Sequence, residues 1–104
     1  MSVPGGFGPV TAADEKTQKL INAVKPQVEE KLGKDFQVYK AVTYREQVVA
    51  GSNYLVKVNV GNGDYIHLLI FEDLPCSGSK IVLTGIEVGK TPDDDLSPFE
   101  GFRV

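Results

Sequence analysis

The sequence predicts an α+β domain in which a twisted antiparallel sheet of about four to five strands wraps around one long helix. Two observations carry this. A single run of apolar residues at helical spacing lies near the start, and after it the period changes to two in four successive stretches whose connections are short enough for hairpins. The 104 residues suffice for one domain, with a radius of gyration of about 13 Å by the usual size scaling. Residues 1–104 are therefore read as one unit, with 1–10 as a flexible N-terminal arm and 89–104 as a mostly irregular tail.

The first ten residues hold three glycines and two prolines, so they form no regular helix and read as a mobile, exposed arm. From Thr11 onward Leu20, Ile21, Val24, Val28 and Leu32 recur on one helical face, with Lys19, Asn22, Gln27, Glu30 and Lys34 on the other. Thr11 with Asp14 three residues later resembles an N-cap signal, and Gly33 suits the C-terminal end. Pro26 removes the bond to the Asn22 carbonyl and costs about 3 kcal/mol in a straight helix. The helix is therefore predicted to kink there or to wrap against something convex.

The first strand covers Val42 to Val48, with a bulge hinted at Tyr39-Lys40 where the phase breaks. In the second, Tyr54, Val56, Val58 and Val60 alternate with Leu55, Lys57 and Asn59. In the third, Ile66, Leu68 and Ile70 alternate with Tyr65, His67, Leu69 and Phe71, and the fourth runs from Lys80 to Val88. One helix covers only one face of such a meander. Alternate turns lie at opposite ends, so Val49–Ser52 and Leu74–Ser79 share one end and Gly61–Asp64 takes the other.

A net charge of −3 gives the chain no electrostatic reason to approach nucleic acid. The longest apolar run, Leu68 to Phe71, is far short of the roughly 20 residues that span a bilayer, and the N-terminus lacks the pattern of a signal peptide. One cysteine, Cys76, makes no internal disulfide. These features predict a cytoplasmic protein with no membrane or nucleic-acid partner; a mature secreted chain that has lost its leader is the alternative.

Catalysis finds little to work with. The only His and the only Cys, His67 and Cys76, are separated by roughly 20 Å along the strand, and His67 reads as a solvent-facing strand residue. No second His or Cys supports a metal site. Asp93-Asp94-Asp95 lacks the spaced ligands of a calcium loop and reads as a solvated turn, and Gly5-Gly6-Phe7-Gly8 lacks the strand and Lys-Ser/Thr ending of a phosphate loop. No cofactor, metal or catalytic residue is predicted.

The unusual feature is apolar content where turns should be polar. Gly61-Asn62-Gly63-Asp64 obeys turn chemistry, whereas Val48-Val49-Ala50 and Leu74-Pro75 place apolar groups at one end of the sheet, with Val3-Pro4 on the arm as a third segment. Clustered exposed apolar groups mark a binding surface.

Gln47-Val48-Val49-Ala50-Gly51, Pro4-Gly5-Gly6, Val24-Lys25-Pro26-Gln27 and Leu74-Pro75 together resemble the stefins, the intracellular type 1 branch of the cystatins. The resemblance covers nearly the whole chain and implies a cystatin-like fold. It also implies tight, reversible inhibition of papain-like cysteine proteases of the cathepsin type. The chain is expected to be mostly monomeric, and because Val48-Val49-Ala50 lack the usual chemistry of a tight turn, opening of that hairpin is expected to give a domain-swapped dimer as a second form. By resemblance, Val3, Pro4, Gly5 and Gly6 would lie along the unprimed subsites, and Gln47, Val48, Val49, Ala50 and Gly51 would enter the primed side. Leu74, Pro75 and Cys76 would complete that side; Cys76 departs from the small or polar residue usual there. A non-inhibitory binding module on the same fold is the alternative reading.

Overall fold

Asp14 opens the one long helix, α1 (Glu15–Leu32), in the computed structural model, whose described residues are 6–104. Its carboxylate accepts from the Thr17 N–H at 2.9 Å while the Thr17 hydroxyl accepts from the Asp14 N–H at 3.3 Å. That reciprocal cap satisfies two donors at the helix start. The cap is therefore Asp14 and not Thr11, which belongs to a short strand, β1 (Thr11–Ala12). Gly33 ends the helix at φ 68°, its N–H donating to the Glu29 carbonyl, as the sequence predicts. The helix continues through Pro26. Pro26 and Asn22 both lie on the exposed face, where solvent can reach the carbonyl that proline leaves unpaired.

Among the described residues the sheet has six strands in chain order: β1, β2 (Lys40–Val49), β3 (Gly51–Asn59), β4 (Tyr65–Glu72), β5 (Ile81–Lys90) and β6 (Gly101–Arg103). All neighbours are antiparallel except the last, because β6 runs parallel to β5, with Ile86 opposite Phe102. The expected four or five antiparallel strands are thus extended at both edges, once by the end of the arm and once from within the predicted tail. The break in phase near Tyr39 materialises as a bulge between Ala41 and Thr43. The radius of gyration is 13.1 Å.

Leu20, Ile21, Val24 and Val28 on the helix pack against Tyr54, Val56, Val58, Ile66, Leu68, Ile70 and Ile86 on the inner face of the sheet. Each such side chain stabilises the fold by about 1.5–3 kcal/mol when fully buried.

The outer face is covered as well, against the expectation from one helix. The segment after β5 folds back across it, so that Leu96 and Phe99 bury Leu55 and pack with Phe7 and Leu69. Lys57 points outward from β3 and is buried beneath this segment, its ammonium donating to the Pro92 and Asp94 carbonyls, both at 2.7 Å. Asp93 to Asp95 lie in a turn that Thr91 closes by donating its N–H to the Asp94 carboxylate at 2.7 Å. His67 corrects its own reading: it is 0 % exposed, enclosed on this face and not solvent-facing. Period two assigned it the correct side of the strand but could not say that the side was covered.

Candidate binding edge

The ladder registers put Val49 opposite Gly51, Ser52 opposite Glu72, and Glu72 opposite Ile81. The β2–β3 turn and the β4–β5 loop therefore end side by side, while Asn59 opposite Tyr65 sets the Gly61–Asp64 turn at the far end. This is the arrangement that strand order predicts.

The first turn is very tight, since Ala50 alone lies between the paired Val49 and Gly51. Gly51 makes it possible. Its φ is 104°, and a Cβ there would come within 2.6 Å of the Glu72 carbonyl oxygen and 2.9 Å of the Phe71 ring. Below the tip, Gln47 is buried and its side-chain carbonyl accepts from Asn53 Nδ2 at 3.0 Å, while Ser52 Oγ donates to Glu46 at 3.0 Å. These pairs stiffen a hairpin whose tip presents Val48, 68 % exposed, and Val49, half as exposed or slightly more. Gln47 thus braces the hairpin from within, whereas Val48, Val49 and Ala50 form its exposed end.

The second loop is a short 3-10 turn, Pro75–Ser77, bracketed by backbone bonds from Asp73 N–H to Lys80 at 2.8 Å and from Ser79 N–H to Leu74 at 3.1 Å. Proline's fixed φ suits the first position of that turn. Leu74, 40 % exposed, and Pro75 project beside Val48 and Val49 across an open cleft of about 330 Å3. Cys76 is exposed on the same loop.

Lys16, from the first turn of α1, ties the two hairpins from behind. Its ammonium lies 3.3 Å from Glu72 and 5.5 Å from the centre of the Tyr54 ring. Interaction with Tyr54 and Glu72 holds the Lys16 pKa above the usual lysine range, and burial raises that of Tyr54. Of the arm residues singled out in the sequence, Val3, Pro4 and Gly5 lie outside the described residues, and Gly6 is exposed. Phe7 and Gly8, expected to be part of a free arm, are held instead: the Gly8 N–H donates to the Glu46 carbonyl at 2.8 Å. The arm is thus fastened to β2 at Glu46, two residues before the exposed tip.

Sequence reasoning missed Arg45, which joins the arm to the segment over the outer face, and missed the covering of that face. For the covered face the signal was present: Leu55 and Leu69 are apolar at outward positions, and Leu96 and Phe99 are apolar in a tail otherwise rich in Asp and Pro.

The chain matches the cystatin-domain family model over residues 5–93. It is 43% identical over 97 residues to Cystatin-A of Felis catus, spanning 93% of this chain and 99% of that protein. Similar agreement holds for Leukocyte cysteine proteinase inhibitor 1 of Sus scrofa, 43% over 95 residues with 91% and 92% of the two chains covered. Stefin-C of Bos taurus matches at 43% over 95 residues, with 91% and 94% covered. The chain belongs to the cystatin family and, within it, to the stefin type.

Proposed function

We propose that this chain is a tight, reversible, competitive inhibitor of papain-like cysteine proteases of the cathepsin type. The observation that carries the reading is the pair of braced hairpin ends that hold Val48, Val49, Leu74 and Pro75 exposed along one edge. Relatives named as cystatins and as a cysteine proteinase inhibitor support it. In this reading Gln47 to Gly51 and Leu74 to Cys76 fill the primed side of the protease cleft as a preformed wedge. Val3 to Gly6 run along the unprimed side, with Val3 as apolar anchor and Gly5 passing close to the catalytic cysteine without a side chain. Binding is favoured because the hairpins are ordered before they meet the enzyme. No carbonyl need be presented for attack, so blockage requires no chemistry. The working form is a monomer in the cytoplasm, a setting that a single exposed cysteine suits.

Titration of papain tests this. Inhibition should be stoichiometric and competitive, with the inhibitor recovered uncut. Absence of inhibition at micromolar protein, or cleavage of the loops with turnover, would sink the reading.

A further inference from the structure

Arg45 belongs to neither hairpin end, yet three main-chain carbonyls from two separate segments meet on it. It stands on β2 two residues before Gln47. Its Nε donates to the Gly8 carbonyl at 2.7 Å, one terminal nitrogen donates to the Phe7 carbonyl at 3.1 Å, and the other to the Leu96 carbonyl at 2.9 Å. The guanidinium carbon lies 5.9 Å from the centre of the Phe7 ring, and that ring packs with Leu55, Leu96 and Phe99. No carboxylate pairs with Arg45 among the described residues; its protein acceptors are main-chain carbonyls. A planar fork that grips three carbonyls fixes where those segments lie relative to one another, which an ammonium point charge does not.

We propose that Arg45 is a positioning residue for protease binding: it clamps the root of the N-terminal arm, at Phe7 and Gly8, onto the C-terminal segment at Leu96, and so sets the point from which Val3 to Gly6 address the protease. The proposal rests on the inhibitor reading above. With only the Gly8 to Glu46 bond, the glycine-rich root would pivot about a single attachment. Arg45 adds bonds to two successive carbonyls, and the buried side of Phe7 adds a packed contact, so the root is ordered on folding and not on binding. The C-terminal segment thereby serves the binding edge although it is not part of it.

A double-mutant cycle separates a clamp from a general structural role. Dissociation from papain is measured for the intact chain and for one lacking Met1 to Gly5, each with and without Arg45→Met. Acting through the arm, Arg45→Met should speed dissociation of the intact chain by about tenfold and that of the truncated chain by less than about twofold. Arg45→Lys, which keeps the charge without the fork, should fall between. Because Arg45→Met strands three carbonyls, Phe7→Ala is the second variant; it trims a partly exposed ring and should show the same dependence on the arm. Equal acceleration in both backgrounds for both variants, or a truncation without effect, overturns the clamp and leaves the inhibitor reading standing. No inhibition by the intact chain overturns both.

Discussion

His67 sits in the middle of β4 with both ring nitrogens buried and without a hydrogen-bond partner among the described residues. Glu87 approaches Nδ1 to 3.9 Å from β5; Lys57 on β3, Lys90 at the end of β5 and Asp94 beyond it are the other charges that face the ring. Burial first, and then Lys90 and Lys57, push its pKa down to about 4, against a smaller opposing pull from Glu87 and Asp94. The fold thus holds a neutral imidazole where the unfolded chain protonates near its ordinary value of about 6.5. Its contribution is complete above that value, declines as pH falls, and is exhausted near 4, a swing on the order of 3 kcal/mol. Asp14 and Asp94, whose carboxyls are held below their usual value by hydrogen bonds from Thr17 and Thr91, weaken the fold only at lower pH. Urea midpoints should therefore drop between about pH 7 and pH 4.5, and His67→Leu should flatten that drop. A wild-type midpoint unchanged across the window would contradict the enclosed, neutral ring.

At the scale of elements, the β2–β3 hairpin is the tip of the proposed wedge, and it closes on residues that lack turn chemistry. Ala50 bridges the strands almost alone, flanked by valines that lack turn chemistry, and Gly51 must hold φ 104°. If the hairpin opens, β2 and β3 run on as one strand, and α1 with β2 packs onto a second chain through the contacts it makes in the monomer. Partial unfolding followed by refolding should yield a non-covalent, domain-swapped dimer in reducing buffer that no longer inhibits papain, since the tip has disappeared. Gly51→Ala, which resists the φ of 104° that the closed turn requires, should raise the dimer fraction. A dimer that inhibits as well as monomer, chain for chain, would count against the hinge and the site together. The helix was legible in the sequence, and so was this hairpin, because Tyr54 to Val60 alternates in period two and Val42, Tyr44 and Val48 keep that period before it, although Glu46 interrupts the pattern and Val42 and Val48 prove exposed while Gln47 is buried. The bulge was displaced by two residues and the cap by three, since Thr11 and Asp14 are both competent caps and only the strand pairing of Thr11 with Tyr44 decides between them. Arg45 was unreadable because its partners are carbonyls, which carry no residue signature.

For the whole molecule, the fold has two covered faces, and the second depends on the segment after β5. Strand parity told which side Lys57, His67 and Leu69 take; it could not tell that a polar, proline-containing tail would return over them. Leu96 and Phe99 are the buried anchors, and Phe99 with Gly101 comes so close to Gly85 that a Cβ there would meet the Gly101 carbonyl oxygen at 2.6 Å. Beyond them β6 pairs with the outer edge of β5, held further by Arg103 to Glu87 at 3.4 Å and by Lys31 over the Phe102 ring at 4.4 Å. Two removals should therefore behave differently. Deleting residues 91–104 uncovers Leu55 and His67, takes both acceptors from Lys57, and forfeits the burial of Leu96 and Phe99, together about 3–6 kcal/mol by area. That is a large share of the stability of a domain this size, about 5–15 kcal/mol, so the urea midpoint of this chain, followed by circular dichroism, should fall steeply. Deleting only residues 100–104 leaves both anchors in place and should lower the urea midpoint modestly. It bares the β5 edge, however, and unpaired strand edges template association. Sedimentation should then show self-association rising with concentration, absent from the intact chain. A full-tail deletion that stays folded with an unchanged midpoint would mean that the outer layer is dispensable; a short deletion that stays monomeric at all concentrations would mean that β6 does not guard the edge.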